Sequence, residues 1–155
     1  MSITKSGLFV ATFVDVWDAT QLAANILSDT VKAALYPVTI TPDFDAAAAS
    51  AAYGAGVYSG TELTGTGYTA GGATLASKTF TGATGVATFD AADLTSAWTS
   101  STITGARGVL VYDDTLSGKN AYALIDLGSG YSTSNGTLAI TWSASGLWNH
   151  TLVPA

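Results

Sequence analysis

The stretch "ARGVLVYDDTLSGKNAYALIDLG", residues 106–128, decides the fold. Two apolar, β-prone runs flank the polar loop "DDTLSGKN", the pattern of an antiparallel hairpin. Closing the loop symmetrically sets Tyr112 opposite Ala121, Val111 opposite Tyr122 and Val109 opposite Leu124. The chain's one arginine, Arg107, then falls opposite Asp126 as a cross-strand ion pair, worth up to about 1 kcal/mol. The other face carries Leu110, Ile125 and Leu127. Both faces are therefore apolar and both need cover: one from a second sheet, one from the N-terminal helix or a neighbouring subunit.

Working outward, the same rhythm runs from Gly54 to the end. The runs "ATLASKTF" (73–80), "GVATFDA" (85–91), "STITGARGVLVYDD" (101–114), "NAYALIDLG" (120–128), "GTLAITWSA" (136–144) and "LWNHTLV" (147–153) are short and β-prone. Gly, Ser, Asn and Asp clusters separate them, as in an antiparallel sandwich or barrel. In "GTLAITWSA", Leu138, Ile140 and Trp142 share one side of a half-buried strand, and Asn135-Gly136 before it signals a turn. "TVKAALYPVTI" (30–40) reads as a further strand interrupted at Pro37.

Helix signals are confined to the first third. "DATQLAANILSD" (18–29) places Asp18 as N-cap with Gln21 three residues on, and puts Leu22, Ala23, Ile26 and Leu27 on one face. "DFDAAAASAAYG" (43–54) offers Asp45 as N-cap, an alanine run and Gly54 as a stop. The expectation is a mainly β protein: an antiparallel, jelly-roll-like β-sandwich with one or two short helices in the N-terminal third. Residues 1–155 form one domain, with an N-terminal arm and helix over 1–29, the sandwich over 30–155, and a short helix near 45–53. The run "GLFVATFV" (7–14) is followed at once by Asp15 and has no small-residue cleavage site. It reads as a strand or packing arm and not as a signal peptide.

The composition is unusual. Of the 155 residues, 10% are charged and 48% are apolar, and mean hydropathy is +0.35. Ordinary soluble domains carry roughly a quarter charged residues. Here Ala, Gly, Thr and Ser stand where Lys and Glu usually face water. Interface cores are depleted of charge in the same way, so much of this surface reads as covered in an assembly. A secreted, Thr-rich, charge-poor domain is the alternative. The net charge of −6 and the scatter of Lys5, Lys32, Lys78, Arg107 and Lys119 give no footprint for nucleic acid. No stretch reaches the roughly 20 apolar residues of a membrane span. The chain has no cysteine, hence no disulfide and no thiolate metal site.

Candidate chemistry is sparse. "ELTGTGYTAGG" (62–72) holds Gly65, Gly67, Gly71 and Gly72, but the third glycine comes one residue too late for a dinucleotide fingerprint and a strand-like run follows. A tight double reversal with Tyr68 packed at its centre fits better. Asp113 and Asp114 open a turn. Asp43 with Asp45, and Asp90 with Asp93, read as turn and helix caps in preference to calcium ligands. His150 is the only imidazole, "SASG" (143–146) is no nucleophile elbow, and no carboxylate pair is marked for glycoside hydrolysis. No catalytic residue, cofactor or metal site is expected. Trp142 reads as core. Phe9, Phe13, Trp17, Tyr68, Trp98 and Trp148 are the candidate interface residues, because aromatic side chains anchor interfaces.

Three stretches together, "ELTGTGYTAGG" (62–72), "WTSSTITGARGVLVYDDT" (98–115) and "SNGTLAITWSASGLW" (134–148), resemble a family of small tailed-bacteriophage structural proteins. The likeness runs over roughly residues 30–155. It implies a capsid decoration or cement protein, or another auxiliary virion protein, without catalytic residues. The partners implied are the major capsid protein and further copies of the chain, a trimer suiting a symmetric shell. Nucleic acid and membrane are not expected partners, and the protein would be made in the bacterial host cytoplasm and reside on the virion. A neck, tail or baseplate component, and a carbohydrate-binding module using Trp98, Tyr131 or Trp148, are the alternatives.

Overall fold

A computed structural model describes residues 2–18 and 23–153. Over these residues the protein is mainly β and sandwich-like, with three antiparallel sheets, two short α-helices and a 3-10 turn at Gly56–Tyr58. The central sheet has the order β1-β9-β8-β2-β4. Its strands are β1 (Gly7–Leu8), β2 (Val31–Pro37), β4 (Ala73–Thr74), β8 (Ala106–Asp113) and β9 (Ala121–Tyr131). A second sheet orders β10 (Gly136–Ile140), β7 (Leu94–Ile103) and β3 (Gly65–Thr66). The third orders β11 (Trp148–Thr151), β6 (Val86–Asp90) and β5 (Thr79–Ala83).

The central sheet is apolar on both faces, and the chain itself covers both. One face presents Val31, Ala33, Leu35, Val109, Val111 and Ala123 to Phe89, Leu94, Trp98, Leu138 and Ile140 of the other two sheets and to Trp142 just beyond β10. The opposite face presents Ala34, Tyr36, Leu110, Tyr112, Ala121 and Leu124. Ile3 and Phe9 of the N-terminal arm, with Ile40, Ala51 and Tyr58, close over it. The arm is pinned by β1, which adds to the edge of β9, and by the Phe9 amide, which donates to the Tyr122 carbonyl at 3.0 Å.

The hairpin register corrects the symmetric pairing. Tyr112 does oppose Ala121, but a bulge follows, and Val111 pairs with Ala123 and Val109 with Ile125. The extra residue is Tyr122. A bulge inverts the alternation beyond it, so Leu124 joins Leu110 under the arm, away from Val109. A second irregularity lies between Ala106 and Gly108. Arg107 reaches Asp126 there: Nη2 donates to Oδ2 at 3.0 Å, and Nε lies 2.6 Å from Oδ1 without aligning as a hydrogen bond.

The helices differ most from expectation. The first, α1 (Val10–Trp17), occupies the run read as strand or arm. The helix expected over 18–29 does not form across residues 23–29, where a turn covers 26–28; Gln21 and Leu22 lie outside the described residues. Asn25 explains the turn. Its Oδ1 accepts from the Leu27 and Ser28 amides at 3.3 and 3.2 Å, and its own amide donates to Asp29 Oδ2 at 2.6 Å. A side chain that bonds its own neighbourhood's amides competes with the helical ladder. The second helix, α2 (Ala48–Ala51), is one turn long and starts later than Asp45 would have it. Asp43 Oδ1 accepts the Asp45 amide at 3.0 Å in a tight turn ahead of the helix, whose N-cap is Ala47, without a side-chain cap bond. The helix also ends before the expected stop at Gly54: Ala52 is its C-cap, in an extended conformation, and Gly54, at φ +77°, lies in the turn beyond.

Candidate interaction face

Helix α1 reads FVATFVDVW from Phe9, apolar on every side except Thr12 and Asp15. A helix apolar all round belongs inside a core. Yet Thr12 is the only buried residue among the eight of α1. Val10, Phe13, Val14 and Val16 are 39–54% exposed and Trp17 is 77% exposed. Phe9, the N-cap, is fully buried against Phe44 and Tyr58, and fastens the helix to the body.

The far side of α1 is an open groove of about 300 Å³. Thr12, Phe13, Val16 and Trp17 form one wall, and Phe80, Ala87, Trp148 and His150 of the third sheet form the other. Strand register explains the second wall. Phe80 pairs with Phe89, which pairs with Trp148; Gly82 pairs with Ala87, which pairs with His150. Paired residues share a face, so the apolar members line up on one side while Thr79, Thr81 and Thr88 occupy the other. Trp148 stacks on Phe89 at 4.4 Å, and His150 lies 4.9 Å from the Phe13 ring. Leu152, 67% exposed, extends the patch along the rim. Beside it β5 is an outer strand whose five residues, TFTGA, are all exposed and uncharged. Edge strands of monomers normally carry charge, proline or cover.

The aromatic residues read from the sequence as interface candidates therefore divide. Phe13 and Trp17 lie on the exposed face, and Trp148 lies half-buried in the groove wall. Phe9 and Trp98 are buried in the two cores, which removes them as interface anchors. Trp98 sits on β7 opposite Leu138, so the polar stretch around it hid a core residue. A sugar platform built on Trp98 is removed with it. Tyr68 faces inward. The signal missed was the four-residue spacing of Phe9, Phe13 and Trp17, a helical period inside a run read as extended. Phe80 gave no signal, since its exposure depends on β5 being an edge.

The glycine-rich stretch carries a different arrangement. Glu62, the only glutamate, accepts from the Tyr53 hydroxyl at 2.6 Å through Oε2, and from the Tyr68 hydroxyl at 2.6 Å and the Gly71 amide at 2.8 Å through Oε1. The Tyr68 hydroxyl in turn accepts from the Leu35 amide at 2.9 Å. Tyr112 donates to the Gly71 carbonyl at 2.9 Å and stacks on Tyr53 at 4.4 Å. Gly72, at φ +73°, passes so close to the Ala33 backbone that a Cβ has no room. The loop thus binds its own chain through Tyr68 and Gly71. Burial, with Glu62 beside it, pushes the Tyr53 hydroxyl up to about 12. Burial raises Tyr36, Tyr68 and Tyr112 as well. These hydroxyls stay protonated at neutral pH and serve as donors, not bases.

Asp90 and Asp93 also have structural partners. Asp93 accepts the Trp142 amide at 2.8 Å, and Asp90 accepts the Ala91 amide at 2.9 Å. Among the described residues no three His, Cys, Asp or Glu side chains gather as a metal site. No helix among them is long and apolar enough to cross a membrane. No family model, curated protein or solved structure matches the chain.

Proposed function

We propose that the chain is a structural protein of a tailed-phage virion, a decoration or cement protein that binds the outer capsid surface and stabilises the head. The observation that carries the reading is α1: a helix apolar on nearly all sides, left standing on the surface above an open apolar groove. A contiguous apolar patch of this kind marks an interaction site. The scarcity of charge and the bare β5 edge support the same reading. The virion setting comes from the likeness of residues 62–72, 98–115 and 134–148 to phage structural proteins.

The role is mechanical and not catalytic. A protein that binds only the assembled lattice stabilises it by RT ln(1 + [L]/Kd). Bridging several capsid subunits makes the later contacts intramolecular, so modest interfaces suffice. A closed ring of copies, a trimer, matches a symmetric shell. The test is to add purified protein to undecorated capsids. The reading expects stoichiometric binding and a raised melting temperature of the shell; no binding, or an unchanged melting temperature, overturns it. A neck, tail or baseplate position is the second reading, favoured by the same exposed face. Copy number separates them: on the order of hundreds per particle for decoration, and about a dozen or fewer at a ring.

A further inference from the structure

Strand β5 stands at the end of the third sheet, and its outer edge pairs with no strand among the described residues. We infer that this edge joins β5 of a second copy of the chain, antiparallel and about a two-fold axis at Thr81, so that two third sheets become one. The contact is independent of what covers α1 and of the assembly in which the copies meet.

The hairpin fixes which backbone groups face outward. Thr84 and Gly85, both at positive φ, join β5 to β6, with Ala83 and Val86 as the closing pair. The closing pair of such a turn is hydrogen-bonded, and bonded pairs alternate from there. Ala83, Thr81 and Thr79 therefore bond β6, opposite Val86, Thr88 and Asp90. The far side of β6 agrees. The Gly85 and Phe89 carbonyls accept from Leu152 and Leu147, at 2.7 and 2.9 Å, on the side of β11. Phe80, which pairs with Phe89, and Gly82 thus turn their N–H and C=O groups away from β6. All five residues of β5 are exposed, so this edge is open.

The placing of Phe80 and Gly82 on either side of Thr81 selects a second copy. With β5 as its own partner, Phe80 falls opposite the partner's Gly82, Thr81 opposite the partner's Thr81, and Gly82 opposite the partner's Phe80. Each Phe80–Gly82 pair exchanges two backbone hydrogen bonds. Opposed residues share a face, so each Phe80 ring, 48% exposed in the single chain, lies over a residue without a side chain. Aromatic cover of an edge glycine pins strand register. The space over Gly82 is free, since a Cβ there meets nothing nearer than the Val86 carbonyl at 3.9 Å. On the other face the two Thr81 side chains form a favourable cross-strand pair. Charge does not oppose the contact. Strand β5 carries none, and Lys78, the second residue beyond Phe80, falls opposite the partner's Thr84. A foreign strand would satisfy the backbone equally, but the aromatic-over-glycine match on both sides of Thr81 is one the chain supplies for itself. A two-fold contact closes on two copies, so a trimeric ring uses another surface.

The chain has no cysteine, so a single introduced thiol reports the register. Across the axis the two Thr81 Cα atoms come within about 4.5 Å, inside the disulfide range of about 4.4–6.8 Å. Thr79 falls opposite the partner's Ala83, and the two Thr79 residues stand on the order of 13 Å apart along the strands. Both positions are exposed. Under mild oxidation of the full chain, Thr81→Cys should form a disulfide-linked dimer at least about tenfold faster than Thr79→Cys. In sedimentation equilibrium the wild type should associate into an even number of chains. Phe80→Lys should weaken that association at least about tenfold with an unchanged circular dichroism spectrum, because an edge lysine opposes strand pairing. Should Phe80→Lys lose its fold, the cysteine comparison decides alone. Equal oxidation of the two cysteine variants, or undiminished association in a folded Phe80→Lys, overturns the inference. A wild type that stays monomeric, or stops at a trimer, overturns the second copy and leaves the edge to a foreign strand.

Discussion

Asp113 and Asp114, adjacent at the end of the hairpin strand β8, have their pKa values pushed in opposite directions. Asp113 is fully buried; its Oδ1 accepts the Thr115 and Leu116 amides at 2.9 and 3.2 Å and its Oδ2 accepts the Tyr122 hydroxyl at 2.6 Å. Burial outweighs those bonds and raises its pKa. Asp114, one residue on, sits between Lys119 at 2.7 Å and Lys32 at 2.8 Å, which lower its pKa. Adjacent strand residues face opposite ways, and here one way leads to the core and the other to water.

Asp114 makes the fold acid-sensitive. A carboxyl whose folded pKa is depressed contributes stability above its unfolded pKa of about 3.9, lost as pH falls through the folded value. Asp114→Asn should therefore lose stability at pH 6 and match the wild type near pH 2. With two lysines engaged but partly exposed, the loss at pH 6 is about 1 kcal/mol. Urea melts at both pH values measure it, and a constant difference across the range rejects the assignment.

Asp113 works the other way. Its raised folded pKa means a contribution fully present below about pH 3.9 and lost as pH rises through the folded value. Asp113→Asn keeps an oxygen for the two amides and cannot ionise. Its stability relative to wild type should rise as pH increases above about 4. Asp113→Ala orphans two amides and a hydroxyl and should cost at least about 2 kcal/mol throughout. If Asp113→Asn instead declines against wild type with rising pH, the ionised form is the favoured one.

Tyr68 is the bolt between the glycine-rich loop and the central sheet. Tyr68→Phe removes the acceptor for the Leu35 amide and one donor to Glu62. Leaving buried groups unpaired costs about 1–3 kcal/mol. Glu62→Ala should cost more, since three donors lose their acceptor. The double variant should fall short of the sum, because both substitutions break the same bond. Additive losses in urea melts would show that the two residues act separately.

The turn between β5 and β6 is a place where sequence and backbone disagree. Thr84 and Gly85 adopt φ +49° and +78°. Positive φ strains a β-branched residue, whereas asparagine accepts it. Thr84→Asn should stabilise the protein by about 0.5–1 kcal/mol. An unchanged or lowered urea midpoint counts against the turn geometry.

These residues also show what the sequence could say. Turn chemistry at Asp113 was legible, because an aspartate closing an apolar run bonds the amides two and three residues on. So was the alternation of Leu138, Ile140 and Trp142, all three buried. The bulge at Tyr122 was not, since it depends on the distant Phe9 amide and on Asp113 taking the tyrosine hydroxyl. Glu62 was equally silent: its three donors lie nine, six and nine residues away, and only the folded loop gathers them. The Thr84-Gly85 hairpin lacked the asparagine that would have announced it. The candidate interaction face was half legible. Composition pointed to a covered surface, but locating it required knowing that α1 precedes Asp18.

The last prediction separates folding from assembly. Val10 and Val14 are 50% and 54% exposed on α1, and neither lines the groove. Serine has about the helix propensity of valine, so Val10→Ser with Val14→Ser should shift the urea midpoint by no more than about 0.5 kcal/mol of stability. If the outer face of α1 is a contact surface, the same pair should lose binding to undecorated capsids and gain solubility, because buried apolar area contributes about 25 cal/mol per Å² to such a contact. A variant that unfolds shows instead that α1 is covered by its own chain. A variant that folds and still decorates capsids with unchanged affinity shows that assembly uses another face. Only a folded, soluble, non-binding variant fits a helix whose natural cover is a partner.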